Sequence, residues 1–203
     1  MSVYGDRVLP HIINIAMNTK QNRLTRQRVC EGLAGDIVEI GFGTGHNLPF
    51  MPPAVSRVRA VEPSRRSVEL AQDRIAAASM PVEVVGLDGQ RVSLPDDSAD
   101  NVLCTWSLCT IPDAVAAVSE MRRVLRPGGA LHFVEHGGSP HEKVRRWQDR
   151  LNGIQQRIAG GCNLNRDIPA LIEAGGFTIS RLDTYYAKGE PKPLGYLYEG
   201  IAR

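Results

Sequence analysis

The sequence contains few aromatic residues and no hydrophobic run long enough to cross a membrane. Phenylalanine, tryptophan and tyrosine make up 5% of its 203 residues, and a membrane-spanning helix needs roughly 18 consecutive apolar residues. The first six residues also lack the basic-then-apolar order of a signal peptide. We therefore expect a cytoplasmic protein and do not expect contact with a membrane.

Cysteine is scarce as well, with four residues at positions 30, 104, 109 and 162. These positions form no C-x-x-C pair, and no histidine lies at a spacing typical of zinc sites. We expect reduced thiols and no bound metal. We interpret Cys104 and Cys109 as residues of the core or of a pocket wall. Cys162 is either a reactive thiol or, as is more common, a small buried hydrophobic residue.

Neither sign of charge dominates, since 24 basic residues stand against 22 acidic ones and the formal net charge is +2. This near balance lacks the electrostatic footprint of a nucleic-acid-binding protein, so we expect no nucleic-acid partner. Residues 1–35 are locally basic, with Arg7, Lys20, Arg23, Arg26 and Arg28. We interpret them as a solvated helix face, although such a segment can also contact an anionic ligand.

Short apolar runs rich in branched residues alternate with longer helical patterns, which predicts an α/β fold with a doubly wound, mostly parallel sheet. Five parallel strands are expected at residues 36–40, 58–61, 82–85, 101–105 and 130–135. Helices are expected to begin after the N-cap candidates Ser64, Asp113 and Ser139. Two later strand-like runs, 177–185 and 195–202, are expected to pair as an antiparallel hairpin, which makes seven strands.

A glycine-rich segment, E-I-G-F-G-T-G-H at residues 39–46, lies where the first strand meets the next helix. Glycines in such a turn let the backbone approach a ligand closely. About twenty residues later, the second strand ends at Glu62 and Pro63, which places a carboxylate where ribose hydroxyls can donate to it. Together they predict a nucleoside-cofactor crevice. A dinucleotide fingerprint needs a third glycine at the position of His46, so a bound pyrophosphate is disfavoured.

The G-x-G-x-G spacing, with Glu39 two residues ahead of the first glycine, resembles motif I of class I S-adenosylmethionine-dependent methyltransferases. L-R-P-G-G at 125–129 is similar to their turn into the fifth strand. Four further strings resemble, more narrowly, the methyltransferase-like proteins that include alkyl thiol methyltransferases: N-L-P-F at 47–50, L-C-T-I-P-D at 108–113, F-V-E-H at 133–136 and G-G-C-N-L-N-R at 160–166. Ubiquinone and menaquinone biosynthesis methyltransferases, with the related type 11 domains, are more distant.

The resemblance implies a Rossmann-like fold that binds S-adenosylmethionine and releases S-adenosylhomocysteine. It places Glu39 near the methionine amino group, Glu62 on the ribose and Asp88 at the adenine. Thr105 and Leu108 are expected to flank the sulfonium. The full set of expected cofactor residues is Glu39, Gly41, Phe42, Gly43, Gly45, Asn47, Glu62, Pro63, Asp88, Gly89, Gln90, Thr105 and Leu108.

The resemblance also implies one methyltransferase domain over residues 1–203. Within it, 36–203 is the catalytic core and 1–35 a helical lid over the carboxyl edge of the sheet. One or two helices are expected over 7–33, with Val8, Ile12, Ile15 and Ala16 on one side.

His136 is the candidate catalytic residue, because it follows the fifth strand at the edge where open α/β sheets place their sites. There it either accepts a proton from the acceptor or only forms a hydrogen bond with a loop. Trp106 and Trp147 can line an acceptor pocket, although large aromatic residues at such positions more often pack.

The function predicted from these features is methyl transfer to a small-molecule acceptor, which is a thiol, a phenol or quinol, or a lipid amine. Two alternatives remain at this stage. One is a nicotinamide-dependent oxidoreductase on a doubly wound sheet, and the other is a non-catalytic nucleoside-binding protein. The sequence does not indicate the oligomeric state.

Overall fold

The computed structural model describes residues 4–86 and 88–203, without the side chain of Asp6. A seven-stranded sheet has the spatial order β3-β2-β1-β4-β5-β7-β6. The first five strands pair in parallel, and β7 pairs antiparallel with both β5 and β6, which confirms the predicted fold class and hairpin. The strands are β1 (Gly35–Ile40), β2 (Val55–Val61), β3 (Val82–Gly86), β4 (Ala99–Thr105), β5 (Leu125–His136), β6 (Ile179–Tyr186) and β7 (Tyr196–Ala202).

Helices connect the strands on both faces of the sheet. Two of the predicted N-caps are confirmed, since the Ser67 amide donates to Ser64 Oγ over 3.1 Å and the Ala116 amide donates to Asp113 Oδ1 over 2.9 Å. The helices are α1 (Leu9–Ala16), α2 (Lys20–Cys30), α3 (Arg65–Leu70), α4 (Gln72–Ala76), α5 (Ala114–Val124), α6 (Glu142–Ile158) and α7 (Ile168–Ala174), with a π-helical turn at Tyr4–Val8 and a 3-10 turn at Leu48–Phe50.

Strands β2 and β4 begin three and two residues before their predicted starts, and β6 begins two residues after its predicted start. Two further predicted boundaries are also wrong. Helix α6 begins at Glu142 rather than directly after Ser139, because the Ser139 hydroxyl accepts a hydrogen bond from the His141 amide and so forms a turn ahead of the helix. Strand β5 begins at Leu125, five residues before the predicted start at 130, because Leu125 already pairs with Ala99. The predicted R-P-G-G turn therefore lies within an irregular stretch of the strand, where Gly128 has a φ of +86°.

Two hydrophobic clusters fill the core, one on each face of the sheet. Side chains alternate between the faces along a strand, so Ile37 of β1 packs in the cluster that contains Val29 of α2, and Val38 packs in the cluster that contains Val118 of α5. Glu39 therefore points to the same face as Ile37, which is the face that α2 covers. This alternation decides which polar side chains can meet at the carboxyl edge.

The apolar side of α1 faces outward. Ile12 is 48% exposed and Ile15 is 77% exposed, so this side does not pack on the sheet. Within residues 4–86 and 88–203, no helix combines the length and apolar character that a membrane span requires.

Replacing two of the glycines by alanine should change the stability of the protein in opposite directions. A Cβ at Gly200 of β7 would overlap the Arg181 carbonyl oxygen and lie 2.7 Å from the Phe133 ring, so Gly200→Ala should destabilise the protein by about 1–3 kcal/mol through overpacking. At Gly153, in the exposed interior of α6, a Cβ would have no described atom within 4 Å. Gly153→Ala should therefore stabilise the protein by about 0.5–1 kcal/mol. Thermal unfolding of both variants checks this pair, and equal shifts in Tm would contradict the packing at Gly200.

Candidate functional site

The glycine turn after β1 has the backbone geometry of a ligand cradle. Gly41, Gly43 and Gly45 have φ values of +73°, +59° and +76°, which favour glycine. A Cβ at Gly41 would overlap Ser107 Oγ, whereas the nearest described atom to a Cβ at Gly43 is the Gly41 carbonyl oxygen at 3.9 Å. The turn is therefore packed tightly against Ser107 at Gly41, whereas the space beside Gly43 is open.

Glu62 lies at the end of β2, beside this turn. Its Oε2 accepts a hydrogen bond from the Gly43 amide over 2.7 Å, and its Oε1 accepts one from the Ser64 amide over 2.9 Å. The carboxyl is 7% exposed, and burial raises its pKa. Each oxygen keeps a second lone pair, so Glu62 can still accept from ribose hydroxyls. Pro63 follows at the surface.

Glu39, Asn47 and Thr105 form a buried polar cluster at the carboxyl ends of β1 and β4. Asn47 Nδ2 donates to Glu39 Oε1 over 2.7 Å and to Thr105 Oγ1 over 3.0 Å. Burial raises the pKa of Glu39 to about 8. Among the described residues, Glu39 Oε2 has no hydrogen-bond partner, so the cluster offers an acceptor to a donor outside the protein.

Arg26 of α2 reaches into the same cluster, where sequence reasoning did not place it. Its Nη1 donates to Asn47 Oδ1 over 2.6 Å and to Thr105 Oγ1 over 3.3 Å, and its guanidinium lies 4.7 Å from the centre of the Trp106 ring. Burial lowers the pKa of Arg26 to about 10, so it remains charged at neutral pH. In the described part of the chain, its Nε has no partner. The interpretation of this basic segment as a solvated face is wrong for Arg26, which is 5% exposed.

The segment expected at the adenine lies between the carboxyl ends of β1 and β4. A Cβ at Gly89 would lie 2.9 Å from Ile40 and 3.6 Å from Ile111. Asp88 is exposed, and its Oδ1 accepts from the Gln90 amide over 2.8 Å, while Gln90 Oε1 accepts from the Asp113 amide over 2.8 Å. Gln90 thus joins this segment to the loop after β4. Contact of Asp88, Gly89 and Gln90 with adenine stays a prediction.

Two of the expected cofactor residues pack mainly against protein. Leu108 is fully buried in the core, and Phe42 is 3% exposed in the other cluster. A Cβ at Gly45 would lie 3.1 Å from the Phe42 ring, so Gly45 lets this ring support the turn from below. The structure brings Thr105 to the polar cluster, and direct contact of Leu108 with the cofactor stays a prediction.

At the end of β5, Glu135 and His136 point to opposite faces of the sheet. Glu135 Oε1 accepts from the Ser107 amide over 2.8 Å, and its Oε2 accepts from the Cys109 amide over 3.4 Å. Burial raises the pKa of Glu135 to about 8. Glu135 therefore holds the loop after β4 rather than orienting the His136 ring.

His136 instead joins two cysteines in a buried cluster, which we call the Cys–His–Cys cluster (Cys109, His136 and Cys162). The two sulfur atoms lie 3.2 Å apart, and Cys162 Sγ lies 3.4 Å from His136 Nε2. One ligand atom from each residue lies within 4.8 Å of the others. The expectation of no metal site came from local spacing, and this cluster draws on three separate segments whose contact only the fold reveals.

The N-terminal residues contact both the glycine turn and the end of α6. Asn14 Oδ1 accepts from Thr44 Oγ1 over 2.9 Å, and the His46 Nε2 lies 3.1 Å from the Asn14 carbonyl oxygen. The Tyr4 hydroxyl donates to the Ile158 carbonyl over 2.8 Å. A lid role is consistent with these contacts, although residues 1–3 of the predicted lid lie outside the described residues. Trp147 is 53% exposed on α6, whereas Trp106 lies against Arg26.

Comparison with known proteins agrees with this geometry. Residues 38–133 match a family model described as a methyltransferase domain. The human thiol S-methyltransferase TMT1B is 31% identical over 198 residues, which covers 92% of this chain and 77% of the relative. A phosphatidylethanolamine N-methyltransferase from Cereibacter sphaeroides is 31% identical over 104 residues, covering 50% of this chain and 51% of the relative.

A solved structure has the same fold. The S-adenosylmethionine-dependent methyltransferase from Aquifex aeolicus superimposes with a TM-score of 0.67 at 17% identity, covering 95% of this chain and 97% of that one. At this identity the superposition shows that the fold is shared. The chain therefore belongs to the class I S-adenosylmethionine-dependent methyltransferases and is related to the thiol S-methyltransferases.

Proposed function

We propose that the protein methylates the sulfur of a small thiol. The observation that carries this proposal is the Cys–His–Cys cluster, which lies at the carboxyl ends of β4 and β5, the edge of the sheet that also carries the cradle. The similarity to TMT1B over 92% of the chain supports it. A hydroxyl acceptor needs a positioned strong base, but the nearest buried carboxylate, Glu135, is engaged by backbone amides.

The residues of the cradle fit S-adenosylmethionine. Its methionine part carries one carboxylate and one ammonium group. Three buried side-chain atoms lack a hydrogen-bond partner among the described residues, namely Arg26 Nε, Glu39 Oε2 and Arg59 Nε, and the first two belong to the same cluster. We assign Arg26 to the carboxylate and Glu39 to the ammonium. The open space beside Gly43 and the carboxylate of Glu62 then receive the nucleoside.

S-adenosylmethionine supplies a methyl group already activated on a sulfonium, so the remaining work of the protein is alignment. Arg26 and Glu39 would hold the amino-acid end of the cofactor and Glu62 would hold its ribose. Orientation of this kind can lower a barrier by about 7–11 kcal/mol. A thiol, with an unperturbed pKa of about 8.5, then needs only modest help to become a thiolate.

We also propose that residues 1–35 form a lid. Two contacts support this proposal: Asn14 of α1 accepts a hydrogen bond from Thr44 of the glycine turn, and Tyr4, in the π-helical turn ahead of α1, donates to the carbonyl of Ile158 at the end of α6. Deletion of residues 1–18 keeps α2 and Arg26 but should lower turnover by roughly tenfold or more, because closure excludes water and aligns the reactants. Calorimetry should show a much smaller change in affinity for S-adenosylhomocysteine. Full activity in this truncation would contradict the lid.

The two halves of the cofactor site can be separated with two ligands. Arg26→Met should weaken binding of S-adenosylhomocysteine by roughly 10- to 150-fold, because a charged hydrogen bond contributes about 1.5–3 kcal/mol. The same variant should bind methylthioadenosine, which lacks the amino-acid group, as the wild type does. Glu62→Ala should weaken both ligands through the ribose. The control is Arg23→Met on the exposed side of α2, and equal weakening of both ligands by Arg26→Met would contradict its assignment.

The acceptor proposal is tested with isotope-labelled S-adenosylmethionine. Alkyl thiols, phenols, quinols, simple amines and phosphatidylethanolamine are offered separately, and the methylated products are measured by mass spectrometry. We expect transfer to the alkyl thiols at a rate at least about tenfold above that for the matched alcohols, because the thiolate forms far more readily. Transfer to phosphatidylethanolamine without transfer to thiols would identify a lipid amine as the acceptor and overturn the proposal.

A further inference from the structure

We infer that Cys109, His136 and Cys162 bind a zinc ion whose fourth coordination position takes the sulfur of the acceptor. This inference rests on the proposed function for the identity of the acceptor, but the metal site itself stands on the geometry of the three side chains.

The atoms of the cluster lie close to tetrahedral zinc geometry. Zinc binds thiolate sulfur at about 2.3 Å and imidazole nitrogen at about 2.0–2.1 Å, so two sulfur ligands lie about 3.8 Å apart and a sulfur and a nitrogen about 3.6 Å apart. The observed separations are 3.2 Å between the sulfur atoms and 3.4 Å from Cys162 Sγ to His136 Nε2. These two separations differ from the ideal ones by about 0.6 and 0.2 Å, and all three ligand atoms lie within 4.8 Å of one another.

The chemistry of the three ligands also favours zinc. Two sulfurs and an imidazole nitrogen form a soft ligand set, which selects zinc over the hard cations calcium and magnesium. Two thiolates would balance the two positive charges of the ion, which lowers the cost of burying it. Among residues 4–86 and 88–203, these three residues form the one group of three or more potential metal ligands that lie close enough together to hold an ion.

Hydrogen bonds outside the cluster hold each ligand in place, as the outer contacts of metal ligands usually do. The Cys109 carbonyl accepts from the Asn163 amide over 2.8 Å and from Asn163 Nδ2 over 2.9 Å, which joins the two cysteine-bearing loops. The Cys109 amide donates to Glu135. His136 is the last residue of β5 and pairs with Leu197 of β7. The two cysteine-bearing loops are thus held to each other and to Glu135, and His136 is held by the sheet.

Three protein ligands leave one position open, as in catalytic rather than structural zinc sites. The loop that carries Cys109 also contacts the glycine turn, since Ser107 Oγ lies 3.5 Å from the Gly41 carbonyl oxygen. In this inference the open position faces the cofactor across that contact. The inference changes the role predicted for His136 from proton acceptor to metal ligand.

Methyl transfer at such a site needs no oxidant or reductant. The acceptor thiol loses its proton to solvent when its sulfur coordinates zinc, since a coordinated thiol is deprotonated. An electron pair of that sulfur then forms a bond with the methyl carbon, while the bond from this carbon to the sulfonium breaks and its electrons remain on the sulfur of S-adenosylhomocysteine. The other product is a neutral thioether, which binds zinc more weakly than a thiolate and can leave.

The metal is tested first, without any assay of activity. Protein purified with a phosphine reductant should contain about one zinc per chain by elemental mass spectrometry, and Cys109→Ala, Cys162→Ala and His136→Ala should each lower zinc affinity by roughly 100-fold or more. Cys30→Ala removes a buried thiol elsewhere in the core and should keep its zinc. Wild-type protein that takes up no zinc, or that carries a Cys109–Cys162 disulfide, would overturn the inference.

The open position is tested on wild-type protein, which avoids variants that fail to fold. Chelator-treated protein reconstituted with Co²⁺ should show the intense visible bands of a tetrahedral ion with thiolate ligands, and butanethiol should shift them whereas butanol should not. Bands that butanethiol leaves unchanged would refute the open position. Metal-free protein that methylates thiols at the full rate would overturn the zinc inference while the proposed function stands. A thiol-dependent shift without thiol methylation would support the site and remove the proposed function.

Discussion

The burial of one cation, Arg26, constrains the whole cofactor side of the molecule. A charged group removed from water must find partners, and Arg26 finds them in Asn47 and Thr105 and against the Trp106 ring. Those residues follow β1 and β4, whereas Arg26 belongs to α2. Helix α2 is therefore tied to the carboxyl edge by this electrostatic requirement in addition to the apolar packing of Val29, whereas the apolar side of α1 faces outward.

Strand pairing determines which groups meet this cation. Glu39 lies opposite Leu103 of β4 in the strand pairing, and Leu103 lies opposite His132 of β5. Because side chains two residues apart share a face, Glu39 and Thr105 point toward α2, and so does His136. Glu135 points to the other face, where it binds the loop that carries Cys109. A shift of one residue in either register would separate the cofactor cluster from the acceptor side.

Local patterns were sufficient to predict the fold class and the position of Glu62 beside the glycine turn. Branched strands, capped helices and the glycine turn each depend on residues close in sequence, so the sheet, the hairpin, and the positions of Gly43 and Glu62 followed from them. The start of β5 could not be predicted from local patterns, because the pairing of Leu125 with Ala99 determines it. Arg26 was missed for the same reason. A basic residue on a helix is indistinguishable from a solvated one until the helix is placed against Asn47.

The Cys–His–Cys cluster shows why the acceptor half is harder to predict than the cofactor half. The glycine turn and Glu62 belong to one βαβ unit, where spacing along the chain reflects position in space. The acceptor side combines a loop after β4, the end of β5 and the loop after α6, and 53 residues separate its two cysteines. The two halves meet where Ser107 contacts Gly41. A change in the acceptor loops can thus alter the acceptor while the cradle is kept, which is how one cofactor fold serves many substrates.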